Sequence, residues 1–115
     1  MNKPRKPASA RLATYGTLAP GRVNDKELAG LEGTWLRGTV RGRLIEAGWG
    51  AKLGYPGLVL DPLGDAIEVF VFESLELSGH WTRLDAFEGD GYRRVATEVS
   101  TTDGVLEASI YVIDS

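Results

Sequence analysis

The chain has 115 residues, 43% hydrophobic and 25% charged, a size and composition that suit one buried core and exclude a disordered polymer. Its 13 Lys and Arg stand against 16 Asp and Glu for a formal net charge of −3, and the clustered cations fall within the first eleven residues, so no broad basic field is available for nucleic acid. Cysteine is absent, which removes disulfides, thiolate metal sites and cysteine nucleophiles. No apolar run of secretory-signal length follows Lys3, Arg5, Lys6 and Arg11, and no stretch is long enough to cross a membrane. A cytoplasmic protein without membrane contact is expected.

In chain order, residues 1–10 carry Pro4, Pro7, Ser9 and three cations without apolar periodicity, the composition of a mobile tail, and the folded domain is expected over 11–115. Residues 12–15 predict a first strand that stops at Gly16. Leu28 and Leu31, three apart after a capping Asn24 or Asp25, predict one or two helical turns over 25–31. Residues 34–47 alternate and are interrupted by Gly38 and Gly42, as in a bent strand that curves a sheet. Two further strands, 58–60 and 66–72, flank the turn formers Asp61-Pro62-Leu63-Gly64-Asp65. The clearest helix is 78–87, with Ser78 as its cap and Gly89 ending it. Asp103-Gly104 signals a hairpin between strands 92–100 and 105–113, with Thr102 opposite Val105 and Ala96 opposite Tyr111. This turn-rich, glycine-punctuated order suits a barrel-like domain.

Glu88 is the first candidate for chemistry. At about 100° per residue it lies close in azimuth to Trp81 and Leu84, the buried side of the helix. A carboxylate aimed inward loses hydration, and burial raises its pKa toward the range useful for proton transfer at neutral pH. The alternative is a hydrated helix end, or a pair with Arg83, Arg93 or Arg94. The second candidate is Tyr15-Gly16-Thr17-Leu18. Glycine after a strand permits a sharp turn whose N–H groups converge on an anion or a developing oxyanion, although an ordinary strand-ending turn has the same pattern.

The hairpin supplies a third element. One face carries Tyr92, Arg94, Glu98, Glu107, Ser109 and Tyr111; the other carries Val95, Val99, Leu106, Ala108, Ile110 and Val112 and belongs to the core. The tyrosine face either lines a cavity or meets solvent. A serine triad would depend on His80 with no nucleophile elbow near it, the carboxylates Asp61, Asp65, Asp85 and Asp90 lack metal-ligand spacing, and Gly16-Thr17 lacks the Walker lysine.

Tyr15-Gly16-Thr17-Leu18, followed much later by Leu84-Asp85-Ala86-Phe87-Glu88-Gly89-Asp90-Gly91-Tyr92-Arg93-Arg94, resembles the paired signature segments of the gamma-glutamylcyclotransferase-like superfamily. Tyr55-Pro56-Gly57-Leu58-Val59 and Ile110-Tyr111-Val112 also resemble it, so the similarity spans about residues 11 to 113. The resemblance implies an α+β fold: a small mixed β-barrel with one or two short flanking helices and a cavity at one end. It implies that Glu88 is the catalytic acid/base, that the loop from Tyr15 through Gly16, Thr17 and Leu18 holds substrate oxygens with backbone N–H groups, and that Tyr92 and Tyr111 stand beside the cavity. The implied reaction needs no cofactor and no metal. Its substrate is a gamma-glutamyl amine, isopeptide or amino acid, whose α-amine attacks the γ-carbonyl to give 5-oxoproline and a free amine.

The short turn at residues 89–91 leaves little material for a lid, which is closer to the small bacterial-type and gamma-glutamylamine-type members. The competing expectation is a non-catalytic module that binds a small carboxylate on the same fold.

Overall fold

The computed structural model of the protein describes residues 8–15, 28, 30–46, 56–88 and 91–113, with backbone alone at residues 46, 56 and 88, and among them short apolar runs separated by glycine and proline form six strands. They are β1 (Arg11–Thr14), β2 (Thr34–Glu46), β3 (Pro56–Leu60), β4 (Asp65–Glu73), β5 (Tyr92–Thr101) and β6 (Gly104–Ile113). The helix α1 (Trp81–Glu88) lies between β4 and β5, and 3-10 turns occupy Ala8–Ala10 and Leu75–Gly79.

The strands form one sheet in the order β3-β2-β4-β1-β6-β5, and β5 returns to β2, so that β2, β4, β1, β6 and β5 make a closed five-stranded ring. All pairs are antiparallel except β1 with β6, which are parallel with Leu12 opposite Ser109 and Ala13 opposite Ile110. Gly42 pairs with Leu60 of β3 and with Asp65 of β4, while Thr39 pairs with Glu68 of β4 and Ser100 of β5. The long β2 therefore gives one edge to β4 and divides the other between β5 at its middle and β3 at its C-terminal end. Closure removes most of the open edge that a six-stranded sheet would otherwise expose.

Side-chain alternation then sorts two cores. Inside the ring, Ala13, Val40, Val69, Val71, Val99, Ala108, Ile110 and Val112 pack together with Leu58 of β3. Outside it, Leu12, Phe72 and Tyr111 on the sheet meet Leu77, Trp81 and Leu84 from the 3-10 turn and α1, with Leu28 alongside. The valine and isoleucine face expected for the β5–β6 hairpin is thus the barrel interior. Leu28 and Leu31 pack on the outer cluster at the spacing expected of them, whereas residues 25–27 and 29 lie outside the described residues.

Three expectations change. The hairpin pairs Thr101 with Gly104 and Ala96 with Ser109, so the two loop residues are Thr102-Asp103, one position earlier than anticipated. Among the described residues only Gly104 has positive φ, at 121°, so Thr102 and Asp103 turn without it and the glycine begins the strand. The Thr101 hydroxyl fixes this choice by donating to the Gly104 carbonyl at 2.7 Å and accepting from the Asp103 N–H at 3.2 Å. Because the register moves by two residues, the two faces keep their members.

The helical segment starts earlier and in two pieces. Ser74, not Ser78, is the cap of the Leu75–Gly79 turn, accepting from the Glu76 N–H at 3.1 Å, and α1 follows from Trp81. Finally, Ala8–Ala10, expected as part of a tail, is bound to the domain. The Trp81 indole donates to the Ser9 carbonyl at 2.9 Å, the Ser109 hydroxyl to that of Ala8 at 2.8 Å, and the Ser74 N–H to that of Ala10 at 2.9 Å. Composition alone does not register these bonds, because all three acceptors are main-chain carbonyls. Residues 1–7 lie outside the described residues.

Candidate functional site

Strand direction decides which residues meet. Because β1 and β6 run parallel, their C-terminal ends lie together, and the antiparallel β5 begins at that same end, with Tyr92 opposite Ile113 and Arg94 opposite Tyr111. Tyr15 directly follows β1. Its hydroxyl donates to the Tyr111 carbonyl at 2.6 Å and accepts from the Leu58 N–H at 3.2 Å, tying β1, β6 and β3 at one point. That end of the barrel also receives the chain from α1, since Glu88 closes the helix and Tyr92 opens β5. The side chain of Glu88 and all of Gly16, Thr17 and Leu18 lie outside the described residues.

The two hairpin tyrosines face α1. Tyr111 is 5% exposed within the outer cluster, and Tyr92, half-buried, packs against the same group. A buried phenol needs a partner for its O–H. Tyr111 finds one in Asp85 of α1, to which it donates at 2.6 Å. Asp85 also receives Arg94 of β5 through two nitrogens, Nε at 2.9 Å and a terminal nitrogen at 3.2 Å, the forked geometry that suits guanidinium and carboxylate. Arg94 in turn lies over the Trp81 ring, 4.3 Å from its centroid. One carboxylate on the helix thus collects donors from both strands of the hairpin.

Sequence reasoning paired Arg94 with Glu88 as one alternative and treated Asp85 only as a carboxylate without ligand spacing. The structure joins Arg94 to Asp85 instead. The signal is present in the helix periodicity: Trp81, Leu84, Asp85 and Glu88 fall within an arc of about 100°, which puts Asp85 on the side of the helix that carries the buried Trp81 and Leu84. The electrostatics follow from the contacts. The Arg94 hydrogen bonds, with a further contribution from the Tyr111 hydroxyl, hold the Asp85 carboxyl below its ordinary value of 3.8 against the opposing effect of burial, and Arg94 is held above its ordinary value by Asp85.

A depressed carboxylate stabilises the folded state above its unfolded pKa and loses that contribution as pH falls through the folded value. The melting temperature of the wild type should therefore exceed that of Asp85→Asn near neutrality, and the gap should close as pH falls below 3.8, read by thermal denaturation at a series of pH values. With 44% of the Asp85 side chain exposed, solvent screening keeps the effect modest. A gap that persists unchanged to pH 2, about two units below the ordinary value, would show that the charge contributes nothing.

Among the described residues no group of three or more His, Asp or Glu side chains could hold a metal ion, and no helix is long and apolar enough to cross a membrane. His80 stands at the start of α1, its Nδ1 3.4 Å from Arg83 Nε.

Comparison with known proteins gives the same architecture. The family described as gamma-glutamyl cyclotransferase, AIG2-like, matches residues 12–115. YkqA from Bacillus subtilis is 29% identical, with a TM-score of 0.71 over 91% of this chain, which spans 36% of the YkqA chain. An aig2-like protein from Mus musculus superposes with a TM-score of 0.69 at 23% identity, covering 90% of this chain and 76% of its own, a likeness of fold. The uncharacterized protein PH0828 from Pyrococcus horikoshii is 25% identical, with a TM-score of 0.62, covering 92% of this chain and 79% of its own. No curated protein matches the sequence.

Proposed function

We propose, from the premise that the chain belongs to the gamma-glutamyl cyclotransferase, AIG2-like family, that it is a cyclotransferase releasing 5-oxoproline from a gamma-glutamyl amine, isopeptide or amino acid. The observation that carries this reading is the strand arrangement just described. Parallel pairing of β1 with β6 and the start of β5 beside them bring the root of the 16–18 loop and the chain leaving Glu88 to one end of the barrel.

In this reading the substrate's α-amine nitrogen bonds to its own γ-carbonyl carbon, closing a five-membered lactam, and the bond from that carbon to the departing nitrogen breaks. Glu88 takes the proton from the attacking amine and returns it to the leaving amine, so no water, oxidant or cofactor enters the balance. General acid/base transfer of this kind contributes about 10²–10⁴ in rate. Holding amine and carbonyl in near-attack geometry supplies up to about 7–11 kcal/mol, and each N–H of Gly16, Thr17 or Leu18 aimed at the oxyanion roughly 3–4 kcal/mol. Tyr92 and Tyr111 would form the wall of the site on the hairpin side, and the backbone at Tyr15 would start the loop. These contributions leave no need for a nucleophilic side chain.

The direct test incubates the protein with a panel of gamma-glutamyl amines, gamma-glutamyl-lysine isopeptide and gamma-glutamyl amino acids and measures 5-oxoproline. Product from at least one class is expected. A panel without product overturns the cyclotransferase reading, and a melting temperature raised by 5-oxoproline or glutamate in the same preparation would assign the protein to carboxylate binding instead.

A further inference from the structure

We infer that Asp85 is a positioning residue: held by Tyr111 and Arg94, it sets the rotation of the last turn of α1 and, on the cyclotransferase reading, thereby aims Glu88. A helix of eight residues is too short to be stable by itself, so its orientation comes from tertiary contacts. Its apolar anchors are few. Trp81 and Leu84 are buried, Phe87 is 40% exposed, and the apolar contact is therefore concentrated in the first half of the helix.

Two anchors near one end leave the other end free to pivot. Asp85 supplies the missing constraint in the second half, and it does so from two directions. The Tyr111 hydroxyl reaches it from β6 at 2.6 Å and the Arg94 guanidinium from β5 at 2.9 and 3.2 Å. Neither donor is loose. Tyr111 is buried, and its own carbonyl is held by the Tyr15 hydroxyl; Arg94 rests on the Trp81 ring at 4.3 Å. Asp85 and Glu88 lie three residues apart on the same arc, so a rotation at one is transmitted within a single turn to the other.

On the cyclotransferase reading the same tie reaches the root of the substrate-binding segment. Tyr15 is the residue before Gly16, and its hydroxyl bonds the main chain of the residue whose phenol holds Asp85. One set of contacts thus links Tyr15, where β1 ends, to the second half of the helix, the two parts whose separation this reading requires to stay constant.

The test uses two variants that keep the charge of the site, Tyr111→Phe, which deletes only the hydroxyl, and Asp85→Glu, which lengthens the tether by one methylene. In ligand-free protein the Glu88 carboxyl is titrated by carbon-detected NMR. Both variants are expected to move its midpoint by about half a pH unit or more and to broaden its resonance. Where the wild type turns over a panel substrate, kcat should fall about tenfold, the scale of a displaced catalytic group, with KM within about twofold, at a temperature well below each variant's own melting point. Titration curves that superimpose on the wild type in whichever variants fold overturn the inference, as does a kcat equal to that of the wild type when only the melting temperature has dropped. Because the titration is read without substrate, it decides the positioning role even if no panel compound is turned over, a result that would count against the cyclotransferase reading alone.

Discussion

On the proposed cyclotransferase reading, Glu88→Gln should lower kcat for 5-oxoproline release by about 10²–10⁴ with substrate binding little changed. Glutamine keeps the shape and hydrogen-bonding reach of glutamate but cannot accept and return a proton, so the loss isolates acid/base transfer from packing. The position supports the choice. Glu88 ends α1 four residues before Tyr92, at the barrel end where β1 and β6 also finish. Folding should be preserved, because the apolar contacts of the helix belong to Trp81 and Leu84. Steady-state kinetics on the best panel substrate, with circular dichroism to confirm the fold, make the comparison. Turnover equal to wild type would remove Glu88 from the mechanism and turn attention to another proton carrier.

The second large effect concerns the barrel itself. Gly38→Val should destabilise the protein by about 3 kcal/mol or more, and Gly38→Ala by about 1–3 kcal/mol, the range for forcing atoms into a filled space. A Cβ at this position would stand 2.5 Å from Val99 Cγ1 and 2.8 Å from the Ser100 carbonyl oxygen. The first neighbour can rotate only by disturbing the barrel interior, and the second is backbone. This is the place where β5 rejoins β2, with Thr39 opposite Ser100, so relief of the clash means separating the two strands that close the ring. Gly79→Ala is the control, since a Cβ there meets nothing within 4 Å, and replacing glycine at such a site changes stability by only about 0.4–1 kcal/mol, in the favourable direction. Urea denaturation reads both. A Gly38→Ala protein as stable as wild type would mean that the closing strands have room to spare.

The strands were legible because their cues are local. Glycine, proline and alternating apolar residues place β1, β2, β4, β5 and β6 within a residue or two of where they lie. The closed barrel was legible from the family resemblance and from the bending glycines of β2, whose purpose, close approach by β5 at Gly38 and by β3 at Gly42, becomes visible only in three dimensions. Errors arose where a side chain competes with a backbone rule. Thr101 captures the turn that Asp103-Gly104 advertises, and Ser74 caps a 3-10 turn ahead of the serine that looked like the helix start.

The site divides in the same way. Buried Trp81 and Leu84 follow from helical period alone. The partnership of Asp85, Arg94 and Tyr111 does not, because it joins three elements whose relative placement depends on hairpin register and on the seating of α1. A one-dimensional reading can find the arc on which Asp85 and Glu88 lie but has no means of choosing which of them Arg94 will meet. Geometry makes the choice, by setting Arg94 opposite Tyr111 and both beneath the second turn of the helix.

The parallel pairing of the first and last strands has a consequence for biogenesis. β1 and one of its two neighbours, β6, are separated in the sequence by β2, β3, β4 and β5, so the ring cannot close until all of that intervening chain has been made. The strand pairing most distant in the sequence is also one of those required to shut the cylinder, a topology that slows folding because the long intervening chain must be ordered before the pairing is rewarded. Until then the free side of β1 is an adhesive border, open to mispairing with another chain.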